Sequence, residues 1–297
     1  MVRIVAVAPA LPGNVYAQSE ITDTIAPMVT SDPTKQAVLR RLHAASRVDT
    51  RHLVMPIDRY RDSNTFTQSN DMFIEVAADL AERALRDALA IAGIEPREVD
   101  YLMFTSVTGI SAPSIDAILV ARLGLRSDVK RVPMYGLGCV AGAAGIARVA
   151  DYLAGHPAGV AVLIAVELCS LTFQRDDDST ANLVATGLFG DGAAAVIMVG
   201  DERAERMPVT GPDVVDTRSA LYPDTESVIG FTASETGFRI ILTAQVSDVI
   251  EANFGRDVTG FLGDNDLGLD DIDTWIAHPG GPRVLEQFQS SLGLADG

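Results

Sequence analysis

The stretch Gly136-Leu137-Gly138-Cys139-Val140-Ala141-Gly142-Ala143-Ala144-Gly145 joins two segments of different character. Before it, Lys130-Arg131-Val132-Pro133-Met134-Tyr135 is short and strand-forming. After it, the alanine-rich run from Ala143 to Ala154 reads as a helix that stops before Gly155. A strand turning tightly into a helix is the repeating unit of α/β proteins. It also sets Cys139 where free N–H groups and the helix dipole favour negative charge, and so the thiolate. Flanking glycines let the backbone turn sharply and leave the sulfur uncovered. The competing reading is an ordinary buried cysteine that packs as a small hydrophobe.

The chain has 297 residues, enough for one large domain or two ordinary ones. Its net charge of −17 argues against nucleic acid and anionic membranes as partners. With two cysteines, Cys139 and Cys169, there is no disulfide framework and no cysteine-based metal cluster, which fits a reducing, cytoplasmic setting. The longest buried-looking runs, Val160 to Val166 and Ala193 to Val199, are seven residues each and too short to span a membrane.

Outward from the turn, the pattern is α/β throughout. Residues 2 to 8 read as a strand. A helix is predicted from Met72 to Ala92, capped by Asn70 or Asp71, striped with Phe73, Ala77, Leu80, Ala84 and Ala88, and ended by Gly93. Val99 to Ser106 reads as a strand and Ser114 to Leu123 as a helix. Val160 to Val166 is apolar throughout, the signature of a strand buried on both faces of a parallel sheet. Gly190-Asp191-Gly192 leads into a second buried strand, Ala193 to Val199. Helices are predicted over Val246 to Leu262 and Arg283 to Leu292, with a short strand, Thr274 to Ala277, between them.

The order of elements repeats. A helix, Gly93-Ile94, acids, Val99-Asp100, a strand, a loop, a helix and Leu123-Gly124-Leu125 are echoed later. The echo is a helix, Gly268-Leu269, acids, Ile272-Asp273, a strand, a loop, a helix and Leu292-Gly293-Leu294. Two halves, 1–200 and 201–297, packed about a pseudo-two-fold axis are therefore expected, with the site between them. Cys139 follows Leu125 by 14 residues, so its counterpart after Leu294 would fall near position 308, past Gly297. The second half is expected to be incomplete.

Of the four histidines, His43, His52 and His156 are expected at the surface. His278 instead ends the predicted strand and enters Pro279-Gly280-Gly281-Pro282, and strand ends facing a crevice are where α/β proteins place ligand groups. An imidazole there can serve a thiol or a substrate oxygen, although a turn histidine bonded to backbone is the simpler alternative. From Lys35 to Arg61, seven Lys/Arg face two acids. That segment is either an anion site or a solvated helix face.

The turn around Cys139, the segment Leu188-Phe189-Gly190-Asp191-Gly192-Ala193-Ala194-Ala195, and Ile276-Ala277-His278-Pro279-Gly280-Gly281-Pro282 together resemble the type III polyketide synthases, the chalcone-synthase family. The resemblance implies a thiolase-like fold with αβαβα layering. It also implies a homodimer that condenses an acyl-CoA starter with malonyl-CoA by decarboxylative Claisen chemistry. Cys139 would carry the acyl group. His278 would help hold the thiolate and would hydrogen-bond the malonyl thioester carbonyl. Phe189 would stand between the CoA tunnel and the cavity, and Cys169 and Thr172 would line that cavity. Ala112 falls where plant members place a methionine that reaches the partner's cavity. The basic segment would hold the CoA phosphates: Arg41 matches a family cation, Val38 and Ala45 replace two others, and Arg40, Arg47 or Arg51 would substitute. No metal or redox cofactor is implied.

The family's catalytic asparagine, in a Gly-Asn turn, would lie beyond Gly297, which suggests a truncated gene product. Three other readings stay open: an initiating ketoacyl-ACP synthase, whose family carries a His-Gln-Ala-Asn string instead; an inactive fragment that binds CoA or a partner subunit; and a cysteine hydrolase built on Cys139 and His278.

Overall fold

The computed structural model describes residues 1–62, 65–208 and 210–294. The first half runs β1 (Val2–Ala10), β2 (Asn14–Ala17), α1 (Gln18–Val29), α2 (Pro33–Ala45), β3 (Thr50–Leu53), α3 (Phe66–Ala92), β4 (Tyr101–Thr105), α4 (Ile115–Leu123), β5 (Lys130–Met134), α5 (Ala141–Ala154), β6 (Val160–Leu168), α6 (Thr180–Leu188) and β7 (Asp191–Val199). There follow α7 (Asp201–Ala204), β8 (Asp213–Val214), β9 (Ile229–Ser234), β10 (Gly237–Leu242), α8 (Gln245–Gly263) and α9 (Pro282–Leu292).

One six-stranded sheet, in the order β5-β4-β6-β7-β1-β8, forms the centre. Strand β6 alternates its side chains between two cores. Val160, Val162, Ile164 and Val166 pack under α3, whereas Ala161 and Leu163 pack against Val149 and Leu153 of α5. That double burial is what its uninterrupted apolar run reports. The run does not encode the direction of its neighbours: β6 is parallel to β4 but antiparallel to β7, so the sheet is mixed and not wholly parallel.

Helix α3 is longer than its apolar stripe. It begins at Phe66, where Thr65 caps it by accepting from Gln68 N at 3.2 Å. Asn70, one of the expected caps, is used elsewhere: it donates to Ile110 O at 2.9 Å and accepts from Ile110 N at 2.8 Å, which ties down the loop after β4. Gly93 ends the helix with φ of 65°, a left-handed conformation that glycine adopts without strain.

The repeat survives at the level of turns. Gly124 and Gly293 close α4 and α9 with φ of 67° and 64°. The following N–H groups, Leu125 and Leu294, reach back to Val120 O and Gln289 O at 3.1 and 3.0 Å. Short 3-10 turns at Pro96–Glu98 and Leu269–Asp271 carry matching caps, Glu95 N to Glu98 Oε2 and Gly268 N to Asp271 Oδ2, both 2.8 Å.

The predicted strand Thr274 to Ala277 is not formed. Those residues pair with no strand among the described residues, and Ile276 is 97% exposed. A strand is stabilised by neighbours on its edges and faces, and an apolar sequence without them stays extended and bare. Helices α8 and α9 pack on one another instead, with Phe254 and Phe288 stacked at 4.4 Å. The second half is thus a hairpin and a helix pair without a central sheet of its own.

Candidate active site

Strand β5 delivers the chain to Gly136 (φ 94°) and Gly138 (φ 53°), and a 3-10 turn over Gly138–Val140 runs directly into α5. Cys139 is exposed at that entry. Its thiol is pushed above the ordinary value, first by burial of the group and then by the charge of Glu167. The helix entry is therefore as expected, but the electrostatics beside the sulfur oppose the thiolate.

Glu167, near the end of β6, accounts for that field. Its carboxyl accepts from Thr108 Oγ1 at 2.8 Å, Val107 N at 3.1 Å and Ser106 Oγ at 3.4 Å, all in the loop after β4. Burial still pushes it up to about 7, because those donors only partly replace lost hydration.

His278 lies exposed in the extended segment before α9. Burial of its ring lowers its pKa, so the neutral imidazole prevails near neutral pH. Gly280 N donates to His278 O at 2.9 Å, and Gly281 takes φ of 131°. An added Cβ at Gly281 would stand 3.4 Å from Leu188, so this turn abuts the residue before Phe189. No hydrogen bond joins His278 to Cys139 among the described residues.

One cavity gathers side chains from distant segments: Cys169 and Thr172 in the turn after β6, Phe189 after α6, Arg51 of β3, Tyr60, and Phe231 of β9. Phe189, Cys169 and Thr172 therefore meet as the sequence led us to expect. Cys169 is buried with its thiol driven well up by desolvation. Thr172 donates to Cys169 O at 2.8 Å. Ala112 is exposed in the loop before α4 and does not line this cavity.

The four arginines divide. Arg40 and Arg41 are exposed on α2, and Arg47 follows it with φ of 59°. Arg40 pairs with Asp23, and Arg47 with Glu286 of α9 at 3.2 Å. Arg41 has no ion-pair partner among the described residues. Arg51 points the other way: it is only 7% exposed and sits in the cavity wall, away from the surface patch. His43 also departs from expectation. It is 1% exposed, with Thr22 Oγ1 at 2.8 Å and Thr186 Oγ1 at 3.3 Å from its ring nitrogens, and burial lowers it to about 4.

Two groups that the sequence quoted without assigning them a role prove central. Asp191, opening β7, accepts from Val54 N and Ser170 N at 2.8 Å each and from Ser170 Oγ; burial raises it to about 6. Tyr60 donates to Ser170 Oγ at 2.6 Å. The signal available for Asp191 was a charge between glycines at the mouth of a buried strand. Among the described residues, no group of three or more His, Cys, Asp or Glu is placed to hold a metal ion, and no helix is long and apolar enough to cross a membrane.

Residues 1–202 match the family model of chalcone and stilbene synthases, N-terminal domain, and residues 213–297 match the corresponding C-terminal domain. A 1,3,6,8-tetrahydroxynaphthalene synthase from Streptomyces peucetius subsp. caesius is 50% identical over 294 residues, covering 99% of this chain and 78% of its own length. A putative chalcone synthase of Bacillus subtilis is 35% identical over 84% of this chain and 70% of its own. The crystal structure of 1,3,6,8-tetrahydroxynaphthalene synthase from Streptomyces coelicolor A3(2) superposes with a TM-score of 0.91 at 29% identity, over 99% of this chain and 82% of that one. The expectation of a truncated gene product gains no support from these shares, which measure the extent of the match and not of the gene.

Proposed function

This chain belongs to the chalcone and stilbene synthase family, and on that premise we propose that it is an acyltransferase of the type III polyketide synthase kind, with Cys139 as nucleophile and His278 as its partner in decarboxylation. The observation that carries the reading is the cavity: Cys169, Thr172 and Phe189, far apart in sequence, line one chamber. The turn of His278 abuts the loop bearing Phe189.

The chemistry balances without a redox partner. The Cys139 thiolate attacks the starter thioester carbonyl and CoA thiolate leaves. Malonyl-CoA loses carbon dioxide to give an enolate, whose carbon attacks the Cys139 thioester and expels the thiolate as a β-ketoacyl-CoA forms. A neutral His278 donates a hydrogen bond to the oxyanion of that enolate. The raised Cys139 thiol fits a nucleophile that ionises only once a partner imidazole has closed on it.

The division into halves 1–200 and 201–297, assembly as a homodimer and a cytoplasmic setting belong to the same proposal. So does the placing of the CoA phosphates on Arg40, Arg41 and Arg47, which share one exposed segment. Arg51, turned inward, is not available to that patch.

Intact mass spectrometry after incubation with an acyl-CoA tests the reading. The expected outcome is an acyl adduct on the wild-type chain, lost in Cys139→Ala, and a ketide product once malonyl-CoA is added. An adduct without any condensation product would favour a chain that only binds and loads, a reading to which the missing Cys139–His278 hydrogen bond lends weight.

A further inference from the structure

The cavity wall contains a charge that the condensation leaves unused. Strand β3 alternates its residues, and Arg51 falls on the inward side, 7% exposed. Its guanidinium is oriented from two sides: Nε donates to Gln18 Oε1 at 3.0 Å and Nη1 to Phe189 O at 2.8 Å. Gln18 is itself fixed, since its Nε2 donates to Gly187 O at 2.6 Å.

That leaves Nη2. It has no hydrogen-bond or ion-pair partner among the described residues, yet it is not among the sealed polar atoms left without one, which are Thr105 Oγ1, Asp116 Oδ1 and Arg203 Nε. An unpaired atom that is not sealed, on a residue lining a cavity, opens onto that cavity. The nearest acid does not neutralise it by contact. Asp191 makes no ion pair with Arg51, and its oxygens are taken by Val54 N, Ser170 N and Ser170 Oγ.

A guanidinium N–H held rigid in a poorly hydrated wall is a strong donor toward anionic oxygen and a poor one toward hydrocarbon. Burial lowers Arg51 to about 10, which still leaves it charged at neutral pH. The floor around it is otherwise apolar, with Ile21, Ile25 and Leu53 close by. A purely alkyl occupant would strand this donor without a partner, at a cost of about 1–3 kcal/mol per buried group.

We propose that Arg51 is a specificity-determining residue that hydrogen-bonds, through Nη2, an anionic oxygen of the acyl chain inside the cavity. This deepens the polyketide synthase reading and rests on it. Two sources share the chemistry: a carboxylate at the far end of the starter, or an enolate along a poly-β-keto chain.

Titration calorimetry separates them with three probes of similar size: glutarate, the acetylacetone enolate and neutral glutaramide. The wild-type chain is expected to bind one of the two anions about tenfold or more tightly than glutaramide, as one charge-assisted hydrogen bond implies. Arg51→Met should lose that preference, and Arg51→Lys, which keeps the charge and is the more conservative change, should keep part of it. Preference for glutarate assigns the terminal carboxylate, and preference for the enolate assigns the extended chain. A wild-type chain that does not discriminate, or a folded Arg51→Met that still does, overturns the inference. Acyl loading of Cys139, read in parallel by intact mass, separates the two failures. Anion preference without loading sinks the synthase reading alone, and loading without anion preference sinks the role of Arg51.

Discussion

Glu167 is a carboxyl that the fold would rather keep protonated. Its pKa rises from the ordinary glutamate value to about 7, so between those values the folded chain holds a proton that the unfolded chain has lost. Its contribution to stability is then full below the unfolded pKa and declines as pH rises through about 7. Glu167→Gln, which cannot ionise, should flatten the fall in unfolding free energy between pH 5 and 8 by about 2–3 kcal/mol. Urea unfolding at the two pH values checks it, and a slope identical to the wild type would refute it. The same substitution removes the charge that raises Cys139, so alkylation of Cys139 should speed up at neutral pH. Little of this residue-scale electrostatics was legible in the sequence. His43 was expected at the surface because it sits in a basic segment, and it is buried because Thr22 and Thr186 come to its ring from remote helices. Arg51 was assigned to an external patch for the same reason. Burial of a polar side chain depends on partners that local sequence does not name.

Strands and helices with a one-sided or two-sided apolar pattern were legible, because burial on a regular element writes its period into the chain. Strand β6, helix α3 and the turn at Cys139 are of this kind. Helices α1 and α2 escaped: α2 buries only Leu39 and His43, too little to mark a face. The hairpin of β9 and β10 escaped too, since its residues are mostly half-exposed. The strand expected at Thr274 to Ala277 failed for the opposite reason, an apolar run with nothing beside it. Where two helices meet closely, a single atom decides. A Cβ at Gly255 of α8 would lie 2.7 Å from Ser291 O of α9, a contact that real side chains do not make. Gly255→Ala should push α9 off α8 and cost about 1–3 kcal/mol. Faster amide exchange confined to both helices, with β6 unchanged, is the expected signature; unchanged exchange in α9 would sink the argument.

Across the whole molecule, stability is unevenly held. The central sheet lies between α3 and α5 with its core residues nearly sealed, whereas α8 and α9 bury one residue each, Leu262 and Leu292. None of the sealed clusters includes a residue of either helix. Unfolding should therefore proceed in two steps, with the helix pair opening first. Hydrogen exchange read by mass spectrometry should find residues 245–292 exchanging at least about tenfold faster than β6 and β7, and a single cooperative rate would contradict it. One contact crosses from the basic segment to this loose region: Arg47 pairs with Glu286 of α9. Such an exposed pair is weak and easily exchanged. A phosphate arriving at the basic segment competes with Glu286 for the same guanidinium, so each anion captured there unfastens a helix. The ligand's arrival and the slackening of the second half become two ends of one seesaw, with Arg47 as its pivot.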